Sequence, residues 1–172
     1  QGTARKRPGG EASSCPPAVS LWRGSSETGD GSLQTGVVKI RVIYADTDAM
    51  GIVYHTNYIR WFEIGRTELM REAGVVYSEM EKEGFFLPLT ELACHYLYPA
   101  RYDDIVRVET RVEYFRRASV KFAYEIWDEK RERLLVEGST LHAFLNREGK
   151  IVRAPARVGE IFKAMQAGHP NG

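Results

Sequence analysis

The chain has 172 residues, which is enough for one domain that buries its own hydrophobic core. Its 24 basic and 23 acidic residues give a formal net charge of +1, whereas a general nucleic-acid binder usually carries a strong basic excess. The sequence contains no run of 18 apolar residues, so we expect no membrane-spanning helix.

The first 36 residues differ in composition from the rest of the chain. They are rich in Gly, Ser, Pro and Thr and contain few large apolar side chains. Such a segment buries too little surface to offset the entropy that is lost on ordering. We expect residues 1–36 to form a disordered tail and residues 37–167 to form the domain. We find no apolar stretch typical of a secretory signal and no cysteine pattern typical of a disulfide framework, so we expect a cytoplasmic location.

The next part of the chain predicts a strand followed by a long helix. Residues 38–44 alternate between apolar and polar side chains, which is typical of a half-buried strand. A helical period then begins at Thr56 or Asn57, both suitable N-caps, and Gly74 is a suitable end. The residues that share the apolar face are Tyr58, Trp61, Phe62, Gly65, Leu69 and Ala73. A glycine on this face indicates that the helix lies very close to a sheet.

The second half of the chain predicts strands joined by short turns. A two-residue alternation marks strands within residues 106–114, 120–126 and 134–145, and a long apolar stretch covers residues 85–98. Short connections imply antiparallel pairing. One long helix against about five such strands indicates an α+β domain in which the helix covers one face of the sheet. A short C-terminal helix is predicted at 156–166.

The segment between the first strand and the long helix combines residues that suit acyl chemistry. Asp46 and Asp48 follow the strand, Gly51 permits a tight turn, and His55 precedes the helical period. A helix N-terminus presents unpaired N–H groups and a partial positive charge, which stabilise a developing oxyanion. A neighbouring carboxylate can attack a carbonyl group or activate water. These parts fit acyl transfer or hydrolysis.

The same segment closely resembles the hotdog-fold thioesterases of the 4-hydroxybenzoyl-CoA thioesterase family, and within it the YbgC-like acyl-CoA thioesterases. The matching residues are Asp46-Thr47-Asp48, Gly51-Ile52-Val53-Tyr54-His55, Asn57-Tyr58, Phe62, Glu63, Arg66 and Glu68. The similarity continues through the Tyr98-Pro99-Ala100-Arg101 segment and covers about residues 37–165. It leaves out the N-terminal tail.

The resemblance implies a fold, a reaction and partners. The fold is the hotdog fold, an antiparallel five-stranded sheet wrapped around one long central helix. The reaction is the hydrolysis of acyl-CoA thioesters to a free carboxylic acid and CoA, without a metal ion or another cofactor. Two subunits join their sheets in this family, so we expect a homodimer or a homotetramer with its active sites at the subunit interface.

The resemblance also implies roles for individual residues. By position, Asp48 is the expected catalytic carboxylate, acting as nucleophile or as general base. The backbone N–H of His55 is the expected oxyanion donor, and the side chains of His55 and Tyr54 are expected to shape or assist the site. The expected substrate-binding residues are Gly51, Tyr58, Arg116, Arg117 and Lys121, of which the basic three would meet the phosphates of CoA. For Asp46 we expect a structural role, with hydrogen bonds to nearby N–H groups.

Two other functions also fit the sequence. A hydroxyacyl dehydratase of the same fold would pair a histidine with an acidic residue on the central helix, here His55 with Glu63 or Glu68. A non-enzymatic acyl-binding or interaction module would act with an acyl-carrier protein or with a membrane-associated complex. The presence of Asp48, Gly51 and His55 together argues against the second of these functions.

Overall fold

The computed structural model describes residues 35–167. The expected disorder of the tail concerns residues that lie almost entirely outside this range. The first strand begins at Gly36, one residue before the predicted domain boundary. Among the helices of residues 35–167, none combines the length and the apolar character needed to cross a membrane.

Residues 35–167 form one five-stranded antiparallel sheet and three helices. The strands are β1 (Gly36–Arg41), β2 (Leu89–Tyr96), β3 (Ile105–Arg116), β4 (Ser119–Asp128) and β5 (Leu134–Ala143). The helices are α1 (His55–Glu72), α2 (Tyr77–Lys82) and α3 (Ala156–Ala167), and a single 3-10 turn spans Tyr44–Asp46. The strand order is β1-β3-β4-β5-β2, so that β1 and β2 form the two edges. The predicted α+β architecture is therefore confirmed.

Helix α1 lies across one face of the sheet and supplies the centre of the core. The residues of its predicted apolar face are buried from Tyr58 to Leu69, because their spacing of three and four brings them onto one side of the helix. Phe62 stacks on Tyr124 of β4 with ring centroids 4.4 Å apart. The same ring lies against Gly138 of β5, where no side chain would fit between helix and sheet.

Gly65 allows α1 to approach β3 closely, as its position on the apolar face predicted. A Cβ atom added at Gly65 would lie 3.0 Å from Cγ1 of Val108 and even closer to the hydroxyl group of Thr110. Carbon atoms pack at about 3.5–4.0 Å, so this site has no room for a larger residue. The glycine thus sets the distance between the helix and the sheet.

The three helices differ in how well the sequence predicted them. The C-terminal helix α3 is present at the predicted place, and its Phe162 packs against Phe115, Phe122 and Phe144. The predicted N-caps of α1 were wrong, because the helix starts at His55 and its N-cap is Tyr54, which has no capping side-chain hydrogen bond. The six-residue helix α2 was not predicted, since so short a segment does not reveal a helical period.

Candidate active site

The loop between β1 and α1 is a tight hairpin that carries Asp48. Thr47 and Val53 form an antiparallel bridge at its base. Within the hairpin, the Asp48 N–H donates to the Ile52 carbonyl at 2.9 Å, and the Gly51 N–H donates to the Asp48 carbonyl at 2.9 Å. Gly51 adopts a φ of 70°, a left-handed conformation that glycine accepts without strain. The expected tight turn at Gly51 is therefore present.

One of the two carboxylate oxygens of Asp48 is hydrogen-bonded within the protein. Its Oδ1 atom accepts a hydrogen bond from the Met50 N–H at 2.8 Å, a turn contact typical of a loop aspartate. Its Oδ2 atom has no hydrogen-bond partner in the part of the chain that the structure describes. One oxygen therefore holds the side chain in place while the other is available to a ligand or to water.

The start of α1 offers two free backbone donors. The amides of Val53, Tyr54 and Asn57 each donate to a backbone carbonyl group. Those of His55 and Thr56 have no acceptor within the described range, because no side chain caps this end of the helix. Unpaired N–H groups and the helix dipole together make this end of α1 attractive to a negatively charged oxygen.

A cleft of about 350 Å³ connects Asp48 with the start of α1. Its walls come from three parts of the chain: the hairpin with Asp48, helix α1 with His55 and Tyr58, and residues 96–99 at the end of β2. Three of the predicted site residues, Asp48, His55 and Tyr58, therefore line one cavity. A carboxylate and a residue with a free N–H on one cavity are suited to an attack on a carbonyl carbon.

Asp46 holds this arrangement together and takes no part in the cleft. Its buried carboxylate accepts a hydrogen bond from the Ile43 N–H at 3.1 Å and one from Arg60 at 2.5 Å. Its carbonyl oxygen accepts the Tyr54 N–H at 2.9 Å and the Asn57 side-chain amide at 2.8 Å. The expected structural role of Asp46 is confirmed. Nowhere in residues 35–167 are three or more His, Cys, Asp or Glu side chains grouped as a metal site.

Two tyrosines support the cleft. The hydroxyl oxygen of Tyr58 accepts the Ala100 N–H at 2.9 Å, and burial raises the pKa of Tyr58. The hydroxyl group of Tyr96 donates to the carbonyl oxygen of His55 at 3.1 Å, and burial raises the pKa of Tyr96 as well. Tyr96 was missed in the sequence because its partner lies 41 residues away and nothing in the local pattern links the two.

Two predicted residues, Tyr54 and Gly51, do not line the cleft. Tyr54 is exposed, and its ring centroid lies 4.3 Å from that of His55. Gly51 lies at the tip of the hairpin, where an added Cβ atom would touch nothing within 4 Å. Both residues therefore lie beside the cleft and form no part of its wall.

The three predicted basic residues also lie elsewhere. Arg116 and Arg117 line a separate cleft of about 400 Å³ between the β3–β4 turn and α3, together with Arg153 and Lys163. Lys121 does not line this cleft. Its ammonium group hydrogen-bonds the Glu113 carboxylate at 3.1 Å. The basic cleft and the Asp48 cleft share no lining residue.

Comparison with known proteins identifies the family of this chain. Residues 42–162 match the family model of the thioesterase-like superfamily. YneP of Bacillus subtilis is 36% identical over 110 residues, which cover 64% of this chain and 79% of YneP. Acyl-CoA thioesterase YbgC of Haemophilus influenzae is 33% identical over 126 residues, covering 72% of this chain and 90% of YbgC.

A solved structure extends the comparison to the fold. The crystal structure of DHNA-CoA thioesterase from Staphylococcus aureus superimposes with a TM-score of 0.73 at 34% sequence identity. The match covers 77% of this chain and 91% of that one. The range of the family model, residues 42–162, includes strands β2 to β5, helix α1 and the segment that carries Asp48 and His55. The chain therefore belongs to the thioesterase-like superfamily, and it is a thioesterase.

Proposed function

We propose that this protein hydrolyses acyl-CoA thioesters to a carboxylic acid and CoA in the cleft between Asp48 and the start of α1. The observation that carries this proposal is the shared cleft, which both Asp48 and His55 line. Within the described residues, one carboxylate oxygen of Asp48 and the backbone N–H of His55 have no hydrogen-bond partner, and the N–H of Thr56 next to it is also free. The names of two relatives, YbgC and the staphylococcal enzyme, both refer to CoA thioesters. The substrate class is therefore taken from those relatives, and the chemistry from the cleft.

In the proposed reaction, the thioester carbonyl oxygen accepts hydrogen bonds from the N–H groups of His55 and Thr56. The carbonyl oxygen gains negative charge as its carbon is attacked, and donors aimed at that charge lower the barrier. The dipole of α1 adds to this stabilisation. The attack produces a tetrahedral intermediate. Its collapse breaks the C–S bond and releases the CoA thiolate.

Asp48 has two possible roles in this step. As nucleophile, its Oδ2 atom attacks the carbonyl carbon, and water then hydrolyses the resulting anhydride. As general base, Asp48 takes a proton from the water that attacks. Single-turnover hydrolysis in ¹⁸O-water separates the routes. Label in the Asp48 carboxylate after one turnover supports the covalent route, with water attacking the Asp48 carbonyl carbon of the anhydride.

The basic cleft is our proposed contact for the phosphates of CoA. It brings together Arg116, Arg117, Arg153 and Lys163, with Glu160 as the acidic residue among its lining side chains. Glu160 is engaged by Lys163 at 2.9 Å, which leaves the three guanidinium groups to attract an anion. Guanidinium groups match phosphate geometry well. Lys121 is omitted from this proposal because of its pairing with Glu113.

We further propose that the protein forms a homodimer through the free edge of β2, with a homotetramer as the larger assembly. Strand β2 is exposed along nearly its whole length and includes the exposed apolar side chains Leu89, Leu92 and Tyr96. An exposed apolar edge strand is a template for pairing with another chain. Sedimentation at the mass of a single chain over a wide concentration range would contradict this assembly.

A panel of acyl thioesters tests the proposed function. Acyl-CoAs that differ in length and aromaticity, and an acyl group on an acyl-carrier protein, are incubated with the protein and a thiol reagent. We expect thiol release from at least one acyl-CoA that depends on the enzyme concentration. Tight acyl-CoA binding without any thiol release would instead identify a non-enzymatic acyl-binding module.

The dehydratase alternative is tested on helix α1. Neither Glu63 nor Glu68 lines the cleft with His55, and Glu68 is paired with Arg71. We therefore expect Glu63→Gln and Glu68→Gln to retain hydrolysis. Loss of turnover in these variants, with normal turnover in Asp48→Asn, would favour the dehydratase-type arrangement.

A further inference from the structure

Tyr96, the last residue of β2, reaches across the cleft to the first residue of α1. Its hydroxyl group donates to the carbonyl oxygen of His55 at 3.1 Å. Its ring also lies edge-on to the rings of Tyr58 and His55, with centroids 5.7 and 6.4 Å away. These contacts fix where the hydroxyl group points. The reaction described above makes no use of this hydrogen bond.

The bond acts on one particular peptide unit. The carbonyl group of His55 and the N–H of Thr56 belong to the same planar peptide, so that fixing one fixes the direction of the other. A hydrogen bond to the carbonyl oxygen also polarises the peptide and makes its N–H a stronger donor. The Thr56 N–H is one of the two free donors at the start of α1.

We propose that Tyr96 is a positioning residue, whose hydroxyl group orients and polarises the peptide between His55 and Thr56 so that the Thr56 N–H serves as the second oxyanion donor. This inference rests on the proposed hydrolytic function. It assigns to the end of β2 an effect on the transition state that operates through the backbone of α1. The ordinary pKa of a tyrosine phenol is about 10, so Tyr96 keeps its proton at neutral pH and remains a donor.

The kinetic test replaces only the hydroxyl group. Tyr96→Phe keeps the ring that packs on Tyr58, and we expect kcat to fall about three- to tenfold while KM changes by less than about twofold. Tyr102→Phe is the matched control, because Tyr102 is exposed, packs edge-on to Tyr44 at 5.8 Å and lies outside the cleft. We expect it to match the wild-type enzyme.

A graded substitution distinguishes polarisation from packing. Fluorinated tyrosines of increasing phenol acidity at position 96 donate progressively stronger hydrogen bonds at nearly constant shape. We expect kcat to rise with phenol acidity as long as the phenol remains protonated. A kcat that is the same for all the fluorotyrosines and for Tyr96→Phe would overturn the inference.

A spectroscopic test separates this inference from the proposed function. In protein labelled with ¹⁵N-threonine, Tyr96→Phe should move the Thr56 amide proton upfield, and Tyr102→Phe should not. An unmoved Thr56 resonance would overturn the positioning role even in an active enzyme. A wild-type protein that hydrolyses no acyl-CoA would refute the proposed function, while the shifted resonance would still support the effect of Tyr96 on this peptide.

Discussion

Arg60 of α1 donates to the carboxylate of Asp46 at 2.5 Å and thereby joins the turn before the Asp48 hairpin to the long helix. The Asp46 side chain is only 4% exposed, whereas the Arg60 side chain is 56% exposed. Asp46 lies two residues before Asp48, so this ion pair helps to set the position of the proposed catalytic carboxylate relative to the free N–H groups of α1. The pair thus links the segment before Asp48 to the helix that carries these N–H groups.

The first prediction compares two arginine–aspartate pairs. Arg60→Gln leaves a buried carboxylate without its cation, and we expect it to lower the free energy of unfolding by about 1–3 kcal/mol. Arg41 pairs with Asp103 at 2.9 Å, but the Asp103 side chain is 67% exposed. Arg41→Gln should therefore cost less than about 1 kcal/mol. Equal losses in urea unfolding of the two variants would show that the burial of Asp46 is unimportant.

The second prediction concerns two helical glycines. Gly65→Ala gains about 1 kcal/mol of helix propensity but forces a methyl group into Val108 and Thr110, at a cost of about 1–3 kcal/mol. We expect a net loss of stability. At Gly159 of α3 a Cβ atom would meet Phe115 at an ordinary 3.4 Å, so Gly159→Ala should gain up to about 1 kcal/mol. Thermal unfolding measures both, and a stabilised Gly65→Ala would contradict the close packing of α1 on β3.

Periodicity predicted the regular part of the fold because burial on one side leaves a repeating pattern. The inward residues Val106, Val108 and Val112 of β3 are buried as their alternation indicated. The start of α1 was misplaced because Tyr54 is not a typical cap and its side chain makes no capping bond. A helix that begins without a side-chain cap gives no local signal in the sequence.

The third prediction starts from a buried histidine. His142 of β5 is almost completely buried, with Nδ1 3.1 Å from the carbonyl oxygen of Leu87 and Nε2 2.6 Å from Nη1 of Arg66. The carbonyl oxygen can only accept, so Nδ1 carries the proton and Nε2 accepts from Arg66. Burial and, second, the charge of Arg66 lower the pKa of His142 from 6.5 to about 4.

This pKa shift makes stability depend on pH in one direction. Between pH 6.5 and about 4 the unfolded chain binds a proton at His142 that the folded chain does not, so folding becomes less favourable as the pH falls. Across this pH range the lowered pKa of His142 reduces the free energy of unfolding by about 3 kcal/mol. We expect the stability advantage of the wild-type protein over His142→Gln to be largest at pH 7 and to shrink towards pH 4. A difference that is constant with pH in denaturant unfolding would refute a neutral buried His142.

The fourth prediction tests the basic cleft. Arg116→Gln with Arg117→Gln should raise KM for an acyl-CoA about tenfold and leave kcat nearly unchanged, since the phosphates lie far from the bond that breaks. The effect should weaken at high salt. Lys39→Gln removes a cation that pairs with Glu129 at 3.6 Å, outside both clefts, and should leave KM unchanged. An unchanged KM in the double variant would remove the cleft from the CoA site.

The candidate site was only partly predictable, because only residues that lie near one another in the sequence leave a local pattern. Asp48, Gly51 and His55 lie close together in the sequence. The strand, the turn and the helix start that hold them could therefore be predicted from the local pattern. Tyr96 enters the site through sheet pairing, since β2 is held beside β5 far from its neighbours in the chain. A contact over 41 residues depends on the complete sheet and leaves no spacing to find.

The turnover of Asp48→Asn tests the central claim most directly. An asparagine at this position still accepts the Met50 N–H and keeps the hairpin, but it can neither attack a thioester nor take a proton from water. Measured on the best acyl-CoA of the panel, kcat should fall by about 10²- to 10⁴-fold, with acyl-CoA affinity and unfolding temperature close to those of the wild-type protein. Near-normal kcat in Asp48→Asn would contradict the account.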